Sequence, residues 1–185
     1  MTSSTPKNKI ALALPPNPFI FEILDLASKQ RSKAKKVEVL KEYEHDSLKS
    51  LFIWNFDETV ISLLPEGEVP YGDADDQSVY SGTLSENLEK ESKGGESATG
   101  QDMDGRGKSS LRREYQNLYH FVKGGNDSLN NIRREMMFIN LLRGLHPREA
   151  QLLCLVKDKK LQTQYKITHE HVKEAYPDIS WGGRS

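Results

Sequence analysis

Apolar residues recur along most of the chain at intervals of three and four and almost nowhere at intervals of two, which predicts helices and no sheet. The first run opens at Pro18, places Phe19, Ile20, Ile23, Leu24 and Ala27 on one face, and is expected to end near Lys29. Ser32 is positioned to cap a second helix carrying Val37, Val39, Leu40 and Tyr43, with lysines on its other faces. Asp46 or Ser47 is positioned to cap a third, SLKSLFIWNF, after which DETVISLL runs to a stop at Pro65. Beyond the turn-rich LLPEGEVPY the periodicity disappears.

It resumes at Leu111, where Tyr115, Leu118, Tyr119 and Val122 continue one helical stripe that Gly124 and Gly125 stop. The longest stripe follows, with Asn126 or Asp127 as cap and Leu129, Ile132, Met136, Ile139, Leu142 and Leu145 sharing a face. His146 and Pro147 break it, Pro147 opens REAQLLCLVKD, and Thr168 caps HEHVKEAY, which ends before Pro177. The expected fold is all-α, a compact helical domain of about seven to eight helices in two halves. These halves are residues 18–71 and 111–179, between a disordered tail (1–17), an acidic disordered linker (72–110) and a short tail (180–185) that carries Trp181.

Composition sharpens this division. The linker is rich in Gly, Ser, Asp and Glu, with too little apolar surface to offset the entropy of ordering it. The formal net charge is −1, but residues 66–104 hold eleven acidic side chains and two lysines, and the rest of the chain holds 24 basic and 16 acidic ones. The folded parts are therefore expected to present a basic surface. The one cysteine, Cys154, lies inside LLCLV and reads as a small buried hydrophobe. The apolar patch IALAL is broken by Pro15 and Pro16, too short for a secretory core or a membrane span, so a soluble intracellular protein is expected.

Catalytic motifs do not survive inspection. Gly107-Lys108-Ser109 resembles the end of a phosphate-binding loop, yet Asp102 stands where that loop needs its first glycine. His45, His120, His146, His169 and His171 have no metal-site spacing, and no serine or cysteine has a sequence link to a base. No enzyme, metal or cofactor is expected. The aromatics Phe52, Trp54, Phe56, Tyr115, Tyr119 and Phe121 follow helical faces and read as core. The lysines carry the signal: Lys29, Arg31, Lys33, Lys35 and Lys36 in one cluster, Lys157, Lys159, Lys160 and Lys166 in another. Such clusters neutralise phosphates without reading bases, so salt-sensitive, sequence-tolerant binding to a DNA backbone is expected.

Two resemblances bear on these expectations. The segments PFIFEILDLASK, LLPEGEVPY, YHFVKGGNDSL, REMMFINLLRGLHPREAQLLCLVKDKKL and VKEAYPDI resemble an uncharacterised protein family of T-even-like tailed phages and cyanophages. The order of the helices is similar to the N-terminal, all-helical DNA-binding domain of ATP-dependent DNA ligases. Residues 20–27, 28–41 and 48–56 echo its opening helices, and Lys157-Asp158-Lys159-Lys160-Leu161 followed by Thr168, Tyr176 and Pro177 echoes its late turn and capped helix. That likeness implies a DNA-contacting turn at Lys157, Lys159 and Lys160, although the ligase turn glycine is absent, with Gln162 near its place, and the ligase catalytic domains are missing. Together the resemblances imply a non-catalytic DNA-binding accessory protein of phage DNA metabolism in the cytoplasm of the infected host. An adaptor for a replication, transcription or host protein and a virion component are the alternatives.

Overall fold

The computed structural model describes residues 14–69 and 109–184, so the tail expected over 1–17 and the linker expected over 72–110 fall largely outside the described residues. The described chain is all-α, as its periodicity predicts. In order it forms α1 (Ile20–Lys29), α2 (Lys33–Glu42), α3 (Asp46–Phe56), a single turn α4 (Leu111–Glu114), a 3₁₀ segment (Tyr115–Phe121), α5 (Asn131–Gly144), α6 (Pro147–Lys157), a short 3₁₀ turn (Leu161–Thr163) and α7 (His169–Ala175). The β pairing among the described residues is an isolated bridge between Ser62 and Val122.

One core joins both halves. Ile20, Ile23 and Leu24 of α1, Leu51 and Phe52 of α3, and Leu152, Leu153 and Val156 of α6 are all at most 1% exposed and belong to a single cluster. Charged groups reinforce this junction. The Arg148 guanidinium of α6 bonds both carboxylate oxygens of Asp25 on α1, at 2.8 and 3.1 Å, and lies 4.7 Å over the Phe21 ring. That fork-to-carboxylate geometry is the strong form of an ion pair.

Several predicted starts and stops hold. Ser32 caps α2 through Lys35 N–H, Pro147 occupies the first turn of α6, and Thr168 caps α7. Gly124 takes φ +86°, and a Cβ on Gly125 would sit 1.8 Å from the Tyr119 carbonyl oxygen, so the paired glycines are sterically required. Other details differ. His45, rather than Asp46 or Ser47, caps α3, its Nδ1 accepting from Ser47 N–H, and Asn130, rather than Asn126 or Asp127, caps α5. The stripe expected from 111 to 122 is one α turn continuing as a 3₁₀ segment, which buries Leu118 and Phe121 three residues apart and leaves Tyr119 48% exposed.

The largest departure is the face of α5. Phe138 and Leu142 are buried, whereas Ile132 is 75% and Met136 58% exposed. Arg134 sets this rotation. It is 4% exposed, and its guanidinium donates to the carbonyls of His120, Asn126 and Leu129 and to Asn131 Oδ1, gathering the loop before the helix. Burying this arginine with four acceptors turns the Ile132 and Met136 side of the helix outward.

The C-terminal tail is tied to α3 through Asp57, just past that helix. This buried carboxylate accepts from Thr59 N–H and Oγ1, from Gly182 N–H and from the Arg184 guanidinium. Burial alone would raise its pKa, but those donors hold it down to about 2. Trp181 packs edge-on against His169, which stacks on Phe56. Depression of the carboxyl from 3.8 to about 2 corresponds to roughly 2 kcal/mol of stability, present above pH 4 and lost as pH falls through the folded value. Asp57→Asn is therefore expected to lower denaturant stability at pH 7 by about that amount and to expose residues 180–184 to proteolysis; unchanged stability would show that the tail is held by Trp181 and by the Arg184 N–H bond to Thr59 Oγ1 without Asp57.

Candidate nucleic-acid interface

The predicted lysine clusters separate in space. From the first cluster, Lys29 and Arg31 flank the end of α1, and Lys36 lies one turn into α2; with Lys166 of the second cluster they line one open groove of about 500 Å³. Its remaining lining includes Ser28, Gln30, Gln162, Thr168 and His171. The groove exists because α1 ends at Lys29, the chain turns at once into α2, and the segment before α7 is tied across the turn. That tie is Lys166 N–H donating to Ser28 Oγ at 2.7 Å.

Within the groove the cations differ. Lys29, Arg31, Lys33, Lys35 and Lys166 are exposed, and Lys33 pairs with Glu174 at 3.4 Å. Neither Lys33 nor Lys35 lines the groove, although both lie on α2 with Lys36. Lys36 is 8% exposed and points its ammonium at the Ala27 and Ser28 carbonyls, where it satisfies the C-terminal end of α1. Burial and the nearby Lys166 lower its pKa. Two cations close enough to repel leave a site that gains from receiving an anion.

The turn expected to contact DNA is a structural staple instead. Lys157 is 2% exposed, and its ammonium donates to the carbonyls of Pro65 and Gly67 and to Asp158. Lys159 donates to the carbonyls of Trp54 and Asp57 at the end of α3. Both belonged to the expected contact set; their ammonium groups are instead engaged by these main-chain oxygens and, for Lys157, by the Asp158 carboxylate. Lys160 is exposed, pairs with Glu66 at 3.5 Å and is not among the residues that line the groove. The turn also lacks a glycine because Lys159 itself takes the left-handed conformation, φ 59°. It closes α6 with the paired bonds Lys160 N–H to Leu155 O and Lys159 N–H to Val156 O.

His171 is the groove residue that charge counting missed. His120, by contrast, bonds Asn126, and the other three histidines occupy helix starts. Burial pushes the Cys154 thiol up to about 12, which removes it as a thiolate nucleophile at neutral pH. Among the described residues no group of three or more His, Cys, Asp or Glu could hold a metal ion, and no helix is long and apolar enough to cross a membrane. The phosphate-loop-like stretch 102–108 lies outside the described residues.

Comparison with known proteins places the chain without assigning it an activity. No curated protein matches it, and no solved structure matches it. A model of a family of unknown function, DUF6433, matches residues 23–98 and 98–163, which takes in the α1 and α2 side of the groove and the Lys157 staple. With well over half of its residues so matched, the chain belongs to that family.

Proposed function

We propose that this protein is a non-catalytic DNA-binding accessory protein of phage DNA metabolism, acting in the cytoplasm of the infected bacterial host. It resembles a stand-alone counterpart of the ligase N-terminal domain. The observation that carries the reading is the convergence of Lys29, Arg31, Lys36 and Lys166 on one groove, although Lys166 lies far from the others in sequence. Lys33 and Lys35 add charge on the same helix as Lys36. The lining has no Phe, Tyr or Trp. Proteins that hold single strands stack bases on such rings, so a groove of cations, hydroxyls and amides suits the phosphodiester backbone of a duplex. No cofactor is needed for that role.

The triple variant Lys29→Ala, Arg31→Ala, Lys166→Ala is expected to bind duplex DNA at least tenfold more weakly in 50 mM salt, and to shift the logarithmic salt slope by about one for each phosphate contact removed. Fluorescence anisotropy with intact duplex, nicked duplex and single strands checks this. Equal binding by variant and parent would remove the groove from consideration. A second reading, an adaptor for another protein, draws on the outward Ile132 and Met136 of α5. Binding through that face would be salt-tolerant, and that separates the two readings.

A further inference from the structure

His171 meets the groove with its hydrogen bonds already partly spoken for. Its Nδ1 accepts from Thr168 N–H at 3.0 Å, while Thr168 Oγ1 accepts from His171 N–H at 3.4 Å. An Nδ1 used as an acceptor fixes the neutral tautomer with its proton on Nε2. Among the described residues nothing accepts from that Nε2–H. Burial, with Lys36 and Lys33 of α2 nearby, lowers the imidazole pKa, and Glu174 on its own helix acts in the opposite sense.

The hydroxyls around it are similarly arranged. Ser28 Oγ accepts from Lys166 N–H and Thr168 Oγ1 from His171 N–H, which leaves each hydroxyl proton to donate outward. Three neutral donors thus stand beside Lys36 and Lys166 in one groove. Phosphate contacts in DNA complexes draw on such uncharged donors as well as on lysine and arginine.

We infer that His171 is a ligand-contacting residue of this groove, donating Nε2–H to a non-bridging oxygen of a backbone phosphate that the exposed Lys166 holds by charge. The inference rests on the DNA-binding reading and adds to it where one phosphate sits. It also separates His171 from a purely structural role, because glutamine and glutamate are the residues that ordinarily serve as the third residue of a capping box. Either should keep the bond from Thr168 N–H, yet they differ in what they offer an anion: the glutamine amide donates, and the glutamate carboxylate repels.

The experiment measures duplex binding by anisotropy, and thermal melting, for the parent, His171→Gln and His171→Glu. Expected are melting temperatures within about 2 °C of one another, binding by His171→Gln within about threefold of the parent, and binding by His171→Glu weakened tenfold or more. Equal binding by His171→Glu and the parent would overturn the inference while leaving DNA binding standing. No binding by the parent to any DNA at low salt would overturn both. Should His171→Glu melt early, the ring-nitrogen spectrum of the unaltered protein decides: the Nε2 resonance of His171 must shift on addition of duplex, and a resonance that stays put while neighbouring amides move refutes the contact.

Discussion

Glu149→Ala is expected to cost about 3–5 kcal/mol of folding stability, a large share of the 5–15 kcal/mol that holds a typical domain. Glu149 is fully buried in the first turn of α6, yet it does not serve that helix. One carboxylate oxygen accepts Ile20 N–H, the first amide of α1, and the other accepts Leu111 N–H, the first amide of α4, both at 3.0 Å. A single side chain therefore caps one helix from each half of the molecule. Burial raises its pKa, and the two amide donors with the nearby Arg112 pull it back. Alanine would leave two helix-start amides unpaired in the interior and Arg112 without its counter-charge, and each orphan costs about 1–3 kcal/mol. Glutamine would keep one acceptor but turn an N–H₂ toward the second amide, so roughly half the loss is expected. Denaturant melting gives the total. Hydrogen exchange gives the mechanism, since the Ile20 and Leu111 amides should lose protection before the middle of α3 does. A loss below about 1 kcal/mol for Glu149→Ala would mean that water replaces the carboxylate at both amides.

The register of α6 already contained this clamp. Glu149, Leu152, Leu153 and Val156 fall on one stripe, and Ala150, Leu153 and Lys157 on the stripe beside it. Reading lysine and glutamate as surface by default put Lys157 in the solvent and passed over Glu149. Main-chain acceptors and donors brought from residues 65–67, 20 and 111 make both burials tolerable, and no local pattern announces partners so distant. The same holds for Arg134, whose four acceptors decide which face of α5 turns inward. What was legible were the helices themselves, Ser32 and Thr168 as caps, the glycine stop at 124–125, and the cationic end of α1. The left-handed turn at Lys159 was not, because its usual marker, a glycine, is missing there. Histidine caps were missed for a related reason, since an imidazole accepts an amide proton only in one tautomer and is a less familiar cap than Ser, Thr, Asp or Asn.

Those histidines make the fold acid-sensitive, and the melting temperature is expected to fall by several degrees between pH 7.5 and 5.5. His45 Nδ1 accepts from Ser47 N–H and His171 Nδ1 from Thr168 N–H, so a proton on either nitrogen would set donor against donor. His169 has no such bond. Its Nε2 is buried without a partner, and its ring lies between Phe56 and Trp181. Burial is the leading cause of a lowered pKa at all three, with Arg112 assisting at His45, Lys173 at His169, and Lys36 and Lys33 at His171. With folded values below the unfolded 6.5, the unfolded chain binds more protons as pH drops through 6.5, and stability falls with it until the folded groups also titrate. Glu149, raised by burial, has the opposite sign, because it takes up its proton more readily when folded; its range starts from 4.5, below the histidine range. The variant His45→Asn, His169→Phe, His171→Gln keeps a good cap at 45, the ring stack at 169 and the capping box at 171, with nothing left to titrate at those positions. Its melting temperature should fall less than the parent's across the same interval, with His146, whose Nδ1 accepts from Arg148 N–H at the start of α6, the histidine cap that remains. A parent protein whose melting temperature does not move between pH 7.5 and 5.5 would show that these imidazoles accept protons without giving up their bonds, and would point to water-mediated rather than direct caps at 45 and 171.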